Sequence, residues 1–356
     1  MSARRALLAA LASLGLVSCR ADSTGTDDLP AGARPVLAIT ATPRTVPAPE
    51  PADFVAAIDS SMALGSKGIV QAYTWRALEP DSARLAVQQL IDDVRSARSR
   101  RLTVLLSVQT INTVKREVPA ELTRVAWDDP RMVRRFERLL DALAPILGEI
   151  TYLSIGNEVA GHLASNREWG PYTRFMSQAV AAAHQRAPAV KVGATMEYVE
   201  AASQTGASRA LIAESDVAIF TLYPFNLEGF TVSPPTVAAP VFDNMLTLAG
   251  NKPVVLQELG YPASPLNGSS EAMQAAFFTD AIAQWRVRKD RMPFVSLSLL
   301  HDLSPQSCTE LGLYYNRPNQ PSFAAFLCTL GLRRIDGSPK PAWSAVRSAT
   351  AWLRAP

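Results

Sequence analysis

The chain has 356 residues, of which 48% are hydrophobic and 19% charged, with a formal net charge of +3. From Cys19 onward, without Arg4 and Arg5, the balance is about +1, and the basic residues are spread along the chain instead of gathered in a stripe. Nucleic acid is therefore excluded as a partner. Some three hundred residues after the N-terminal region can bury one large core, and that length suits a single barrel domain better than two ordinary domains.

In chain order, residues 1–18 read as an export signal: Arg4 and Arg5 form a positive start, and 6–17 an apolar run too short to span a bilayer. Leu16-Val17-Ser18-Cys19 resembles a bacterial lipobox, which implies lipidation of Cys19 and anchoring to a membrane surface on the extracytoplasmic side. The alternative is an ordinary secretory signal in which Cys19 is incidental. Residues 19–34, rich in Asp, Ser, Thr, Gly and Pro, read as a flexible tether.

From residue 35 to 356, strand-like and helix-like segments alternate. The eight strand candidates are 35–42, 67–75, 102–110, 150–159, 190–198, 217–224, 253–261 and 293–302. After the second, Asp81-Ser82 predicts a helix start and Val87, Leu90, Ile91, Val94 and Ala97 form one buried stripe. After the third, Asp129-Pro130 supplies the start, and Val133, Phe136, Leu139, Leu140 and Leu143 repeat the pattern. Eight such units predict an α/β chain closed as a (β/α)8 TIM barrel. An open doubly wound sheet also alternates strands and helices, but it places a glycine-rich loop after its first strand, where this chain has Ala41-Thr42-Pro43-Arg44. The remaining cysteines, Cys308 and Cys328, form an even pair in an exported protein and predict a disulfide.

Two of these strands end in carboxylates. The fourth delivers Asn157-Glu158 and the seventh Glu258, both after aliphatic and β-branched runs that read as buried parallel strands. A carboxylate there is costly to bury, and a facing pair is what glycosidic bond cleavage requires, with a separation of about 5–5.5 Å for retention. Tyr223-Pro224 closes the sixth strand. The ordered set of Asn157-Glu158, Tyr223-Pro224 and Glu258 resembles the clan A glycoside hydrolases, retaining enzymes on eight-fold barrels, and the likeness runs over nearly all of the chain after the tether. The segments 75–80 (WRALEP), 331–332 and 336–341 (DGSPKP) agree with it.

The resemblance implies Glu158 as acid/base, Glu258 as nucleophile, Asn157 beside the sugar 2-hydroxyl and Tyr223 against Glu258. Trp75, Trp169, Tyr198 and Tyr261 are candidate sugar platforms, each competing with a place in the core. Trp127, Trp285, Trp343 and Trp352 lie in helix-like or flanking patterns and are expected to pack there. His301-Asp302 closes the eighth strand, where it would contact substrate or else pair internally. Glu79, before Pro80, reads as a loop-fixing carboxylate.

No metal or cofactor is expected: His162, His184 and His301 are dispersed, and neither a phosphate loop nor a GxSxG elbow occurs. The chain departs from the family in lacking a histidine at the end of the third strand and a tryptophan at the end of the eighth. Two functions are consistent with these residues. One is a retaining β-glycoside hydrolase, hydrolysing or transglycosylating an extracytoplasmic poly- or oligosaccharide as a monomer. The other is a surface lipoprotein that binds glycan without turnover.

Overall fold

The structure, a computed structural model, describes residues 35–226 and 228–354. The export signal, Cys19 and the tether lie outside the described residues. The chain folds as a (β/α)8 barrel. Its strands are β1 Val36–Ile39, β2 Gly68–Thr74, β3 Thr103–Asn112, β4 Lys115–Arg116, β5 Tyr152–Asn157, β6 Lys191–Gly193, β7 Thr195–Glu197, β8 Ala218–Leu222, β9 Val254–Leu259 and β10 Phe294–Leu297, with helices between successive barrel strands.

All eight expected strands are present, within a few residues at each end. Ten are counted for two reasons. β4 is a two-residue antiparallel spur on β3, and the fifth expected strand divides at Ala194. β6 pairs with β5 (Leu153 beside Val192), whereas β7 pairs with β8 (Met196 beside Phe220), so one stretch of chain changes partner midway. Gly193 permits the change, because a Cβ there would lie 2.6 Å from the Val217 carbonyl oxygen.

Two compact units are distinguished. The first comprises Gly68–Thr221 and Leu246–Gln257. In it β2, β3, β5 and β6 run parallel, with Ile69 beside Val104 and Leu106 beside Leu153. The side chains of β3 and β5 are buried almost throughout, as expected of parallel strands covered by helices on the outside and filled on the inside. The helix Pro130–Leu147 starts where the sequence says: Asp129 accepts the Arg131 amide, and Pro130 occupies the first turn, where its missing N–H costs nothing. Phe136 on this helix meets Trp75 and Phe175 edge-on at 5.2 and 5.3 Å. The preceding helix, Gln88–Ser99, begins later than expected. Asp81 spends its side chain on a local turn with the Ala83 amide, six residues short of the helix cap Val87.

The second unit comprises Pro35–Lys67, Leu222–Met245 and Glu258 onward. β1 and β10 pair in parallel from Val36 beside Phe294 to Ile39 beside Leu297. A satellite core gathers Tyr223, Phe225, Phe230, Phe323, Phe326 and Leu330 around the Cys308–Cys328 disulfide, whose α-carbons are 5.9 Å apart. The bridge joins the helices Pro305–Tyr314 and Pro321–Cys328. Among the described residues no helix is long and apolar enough to cross a membrane.

With its ends 20 positions apart in the chain, the bridge removes about 3 kcal/mol of loop entropy from the unfolded chain. Replacing both cysteines by serine is expected to lower the urea-unfolding free energy by roughly that amount, with the denaturant slope changed little.

Candidate active site

The acid/base candidate sits on the first unit. β5 ends in Gly156-Asn157-Glu158, and each of the three has a defined geometric duty. Gly156 has φ +91°, and a side chain there would overlap Tyr172 and Val159. Tyr172, buried under the strand end, donates to the Ile155 carbonyl at 2.8 Å and meets the Thr110 hydroxyl at 2.8 Å. Glu158 then occupies the left-handed region, φ 49° and ψ 47°, as the residue before the helix Val159–Asn166. A side chain in that region costs about 1–2 kcal/mol and persists only where its surroundings hold it.

They do. The Glu158 carboxylate accepts from the Thr113 hydroxyl at 2.6 Å and from the Thr221 hydroxyl at 2.8 Å. Thr113, in the turn between β3 and β4, is itself left-handed at φ 50°, and its amide donates to the Asn157 carbonyl at 2.9 Å. Burial pushes the Glu158 pKa up, against the opposing pull of the two threonine hydroxyls.

Asn157 is 5% exposed, and both ends of its amide are engaged. Its Nδ2 donates to Asn112 Oδ1 at 3.1 Å, and its Oδ1 accepts from Gln257 Nε2 at 2.6 Å. Gln257 Oε1 in turn accepts from the Thr195 hydroxyl at 2.8 Å, and Thr195 meets the Ser154 hydroxyl at 2.6 Å.

A second carboxyl group joins this cluster. Glu197, at the end of β7, is 7% exposed and lies beside Thr221 in the strand register. Its side chain accepts the Glu200 amide at 2.8 Å. The Glu200 carboxylate accepts the Gly161 amide, in the first turn after Glu158, at 3.0 Å. Burial, reinforced by the charges of Glu158 and Glu200, pushes Glu197 up to about 8, against two backbone N–H donors.

The nucleophile candidate sits on the second unit. Glu258, half-buried near the end of β9, accepts a 2.5 Å hydrogen bond from the Tyr223 hydroxyl. The Tyr223 ring is held edge-on to Phe326 at 5.1 Å and stacked on Phe225 at 6.1 Å, so the satellite core fixes the donor. A side chain at Gly260 would collide with that ring. Hydrogen-bond donation to a carboxylate favours its ionised form.

Other expectations need correction. Trp75 is fully buried, its Nε1 donating to Glu79 at 2.9 Å, so it offers no ring face to a sugar. Glu79 has the loop-fixing role expected of it, also accepting Arg135 at 2.9 Å and Arg138 at 3.3 Å. Tyr261 is fully buried, stacked on Phe277 at 4.6 Å, with its hydroxyl on the Ser233 carbonyl. Tyr198 is also buried, edge-on to Phe220. Of the four proposed platforms only Trp169 keeps a partly exposed ring. Trp127 and Trp285 are fully buried as expected, and Trp343 and Trp352 are half-buried.

His301 and Asp302 do not pair with each other. His301 Nδ1 lies 2.7 Å from the Thr42 carbonyl, which fixes Nδ1 as the protonated nitrogen, and burial pushes its pKa down. Asp302 forms a buried ion pair with Lys340 at 2.7 Å and accepts the Gly331 amide at 2.8 Å. Both residues tie strand ends to loops. Among the described residues no cluster of His, Cys, Asp and Glu could hold a metal ion.

Comparison with known proteins places the fold. No family model matches the chain, and no curated protein sequence does. Solved structures do match. A GH5_18 protein from Streptomyces cattleya, in complex with GlcNAc, is 20% identical with a TM-score of 0.68, over 90% of this chain and 80% of the other. A GH5_18 variant from Bifidobacterium longum in complex with Manβ1-4GlcNAc is 15% identical with a TM-score of 0.69, over 90% and 79%. An exo-β-1,4-mannosidase from Opitutaceae bacterium strain TAV5 is 15% identical with a TM-score of 0.68, over 90% and 60%. The fold is therefore the barrel found in these glycoside hydrolases.

Two outcomes are expected of this arrangement. Between the ordinary carboxyl value of 4.5 and about 8, folded Glu197 keeps a proton that the unfolded chain releases, so its contribution lowers stability as pH rises through that window and levels off above it. Glu197→Gln should remove that part of the pH dependence, and its melting temperature should exceed the wild type's by more at pH 8 than at pH 5, by roughly 3 °C or more. Asp302→Ala leaves the Lys340 ammonium buried without its partner and should cost about 3–5 kcal/mol in urea unfolding.

Proposed function

We propose that the chain is a retaining β-glycoside hydrolase, with Glu158 as acid/base and Glu258 as nucleophile. The observation that carries this reading is the different setting of the two carboxyl groups. Burial pushes the Glu158 pKa up against its two threonine donors, whereas Glu258 accepts the hydroxyl of a ring-packed tyrosine, Tyr223, at 2.5 Å. A protonated acid and an ionised nucleophile are the resting states that double displacement needs.

In the first step Glu258 attacks the anomeric carbon while Glu158 gives its proton to the departing glycosidic oxygen. In the second, Glu158, now ionised, takes a proton from water or an acceptor sugar, whose oxygen displaces Glu258 from the anomeric carbon. The Thr113 and Thr221 hydroxyls serve both steps, because they hold the Glu158 carboxyl in place and donate to it once it is charged. Fixed dipoles of this kind need no reorganisation as the charge develops.

For substrate we propose a β-linked hexoside, with a β-1,4-mannosyl linkage as the first candidate, on the strength of the Manβ1-4GlcNAc ligand and the mannosidase among the structural neighbours. Lipidation at Cys19 would place the reaction at a membrane surface outside the cytoplasm. Burial of Trp75, Tyr198 and Tyr261 favours turnover over simple glycan binding, because it removes the broad aromatic surface a binding module uses.

Glu258→Ala should lower kcat by about a thousandfold or more on every substrate, since no glycosyl-enzyme can form. Glu158→Ala should lose about 10²–10⁴-fold on alkyl glycosides, yet keep most of the first step on dinitrophenyl glycosides, whose leaving group needs no proton. Product analysis by NMR should show the β-anomer first. Inverted product, or equal losses for both variants on all aglycones, would overturn the assignment.

A further inference from the structure

We propose that Gln257 is a positioning residue that sets the amide of Asn157 for contact with the sugar, and that a one-way hydrogen-bond chain through the barrel interior fixes its orientation. This rests on the glycosidase reading above.

The chain is directional. The Thr195 hydroxyl gives its one hydrogen to Gln257 Oε1 at 2.8 Å, and it lies 2.6 Å from the Ser154 hydroxyl, which is also within 2.9 Å of the Gly156 carbonyl oxygen. With Oε1 committed to Thr195, the other end of the Gln257 amide is Nε2, which donates to Asn157 Oδ1 at 2.6 Å. Asn157 must then present Nδ2 on its other side, and one of the two Nδ2 hydrogens goes to Asn112 Oδ1 at 3.1 Å. The second hydrogen is the one available to a sugar hydroxyl. Ser154, Thr195 and Gln257 are 0%, 0% and 1% exposed, so water cannot substitute for a missing member.

Polar side chains at these places have no packing rationale. The interior of such a barrel is ordinarily filled by branched aliphatic residues, and Ser154, Thr195 and Gln257 forgo that burial energy. What the three supply is a preference of Asn157 for one amide orientation over its flipped form, in which Oδ1 would face Asn112 Oδ1 and Nδ2 would face Gln257 Nε2. Two acceptors would then oppose each other at the part-buried Asn112 end and two donors at the buried Gln257 end, at a cost of about 1–3 kcal/mol for each buried unsatisfied group.

The consequence falls on kcat more than on KM. A hydrogen bond from Asn157 to the 2-hydroxyl strengthens as the ring flattens toward the oxocarbenium-like transition state, so losing its alignment removes transition-state binding selectively.

The test uses the mature protein with Gln257→Leu, Asn157→Ala and the double variant, on an aryl β-mannoside and its 2-deoxy analogue, with the Asn157 side-chain amide followed by NMR in [15N]asparagine-labelled protein. Gln257→Leu is expected to lower kcat on the 2-hydroxy substrate by about 10–100-fold with KM within about twofold, and to leave kcat on the 2-deoxy analogue unchanged. Its effect should not add to that of Asn157→Ala. The Asn157 NH2 signals, exchange-protected in the wild type, should lose protection in Gln257→Leu. Equal losses on both substrates, or additive effects, would show that Gln257 only packs. If the wild type cleaves no β-glycoside, the glycosidase reading falls by itself and the NMR arm decides: unchanged Asn157 protection in Gln257→Leu overturns the proposal, and loss of protection supports it.

Discussion

Holding the half-buried Glu158 carboxyl group largely out of water is the constraint to which most of the first unit answers. A buried carboxyl resists ionisation, and if it must later carry charge it needs donors already in position. Thr113 and Thr221 supply them from two different strand ends, and the backbone accepts left-handed residues at both Thr113 and Glu158 to bring the groups together. Gly156 gives the chain room to enter that conformation beside Tyr172. Strain, glycine and threonine placement follow from one electrostatic requirement.

The second unit holds a carboxyl group, Glu258, against a donor that cannot drift. The Tyr223 hydroxyl provides the hydrogen bond to Glu258, and its ring is one wall of the aromatic core around Cys308–Cys328. A disulfide twenty residues wide thus contributes to more than the stability of two surface helices, because it ties down the cluster against which the phenol ring packs. The buried Asp302–Lys340 pair does similar work for the segment after β10, where the Asp302 carboxylate also takes the Gly331 amide.

Polar groups inside the barrel cost aliphatic packing, and those around Asn157 and Glu158 form connected chains, whereas the buried Ser107 and Ser296 hydroxyls on β3 and β10 have no side-chain partner among the described residues. Thr195, Gln257, Asn157 and Asn112 pass hydrogen bonds in one direction, while Glu197 and Glu200 brace the loop after Glu158 through backbone amides. A half-satisfied network would be worse than an apolar core, whereas a complete one gives each amide a single orientation.

The order of strands and helices, the burial of β3 and β5, the start of the helix at Asp129-Pro130 and the cysteine pair were all legible in the sequence. Each is encoded locally: periodicity and capping depend on neighbours a few residues away, and two cysteines in a chain that reads as exported have few other fates. Asn157, Glu158, Tyr223 and Glu258 stood out for a related reason, since a polar residue closing an apolar strand is visible without knowing what it faces. The platform residues were not separable from core residues, because Trp75 and Tyr261 look the same in sequence whether their rings meet a sugar or Phe136 and Phe277. Nor were Thr113, Thr221, Glu197 and Gln257 visible as a group. They lie on different strands and turns, as far as 144 positions apart in the chain, and only the closure of the fold brings their hydroxyl, carboxyl and amide groups within hydrogen-bond reach of Asn157 and Glu158 or into their electrostatic field. Sequence set the strand ends and the chemistry available at each; tertiary structure decided which of those groups meet, because hydrogen bonds and desolvation depend on distance in space and not on distance along the chain.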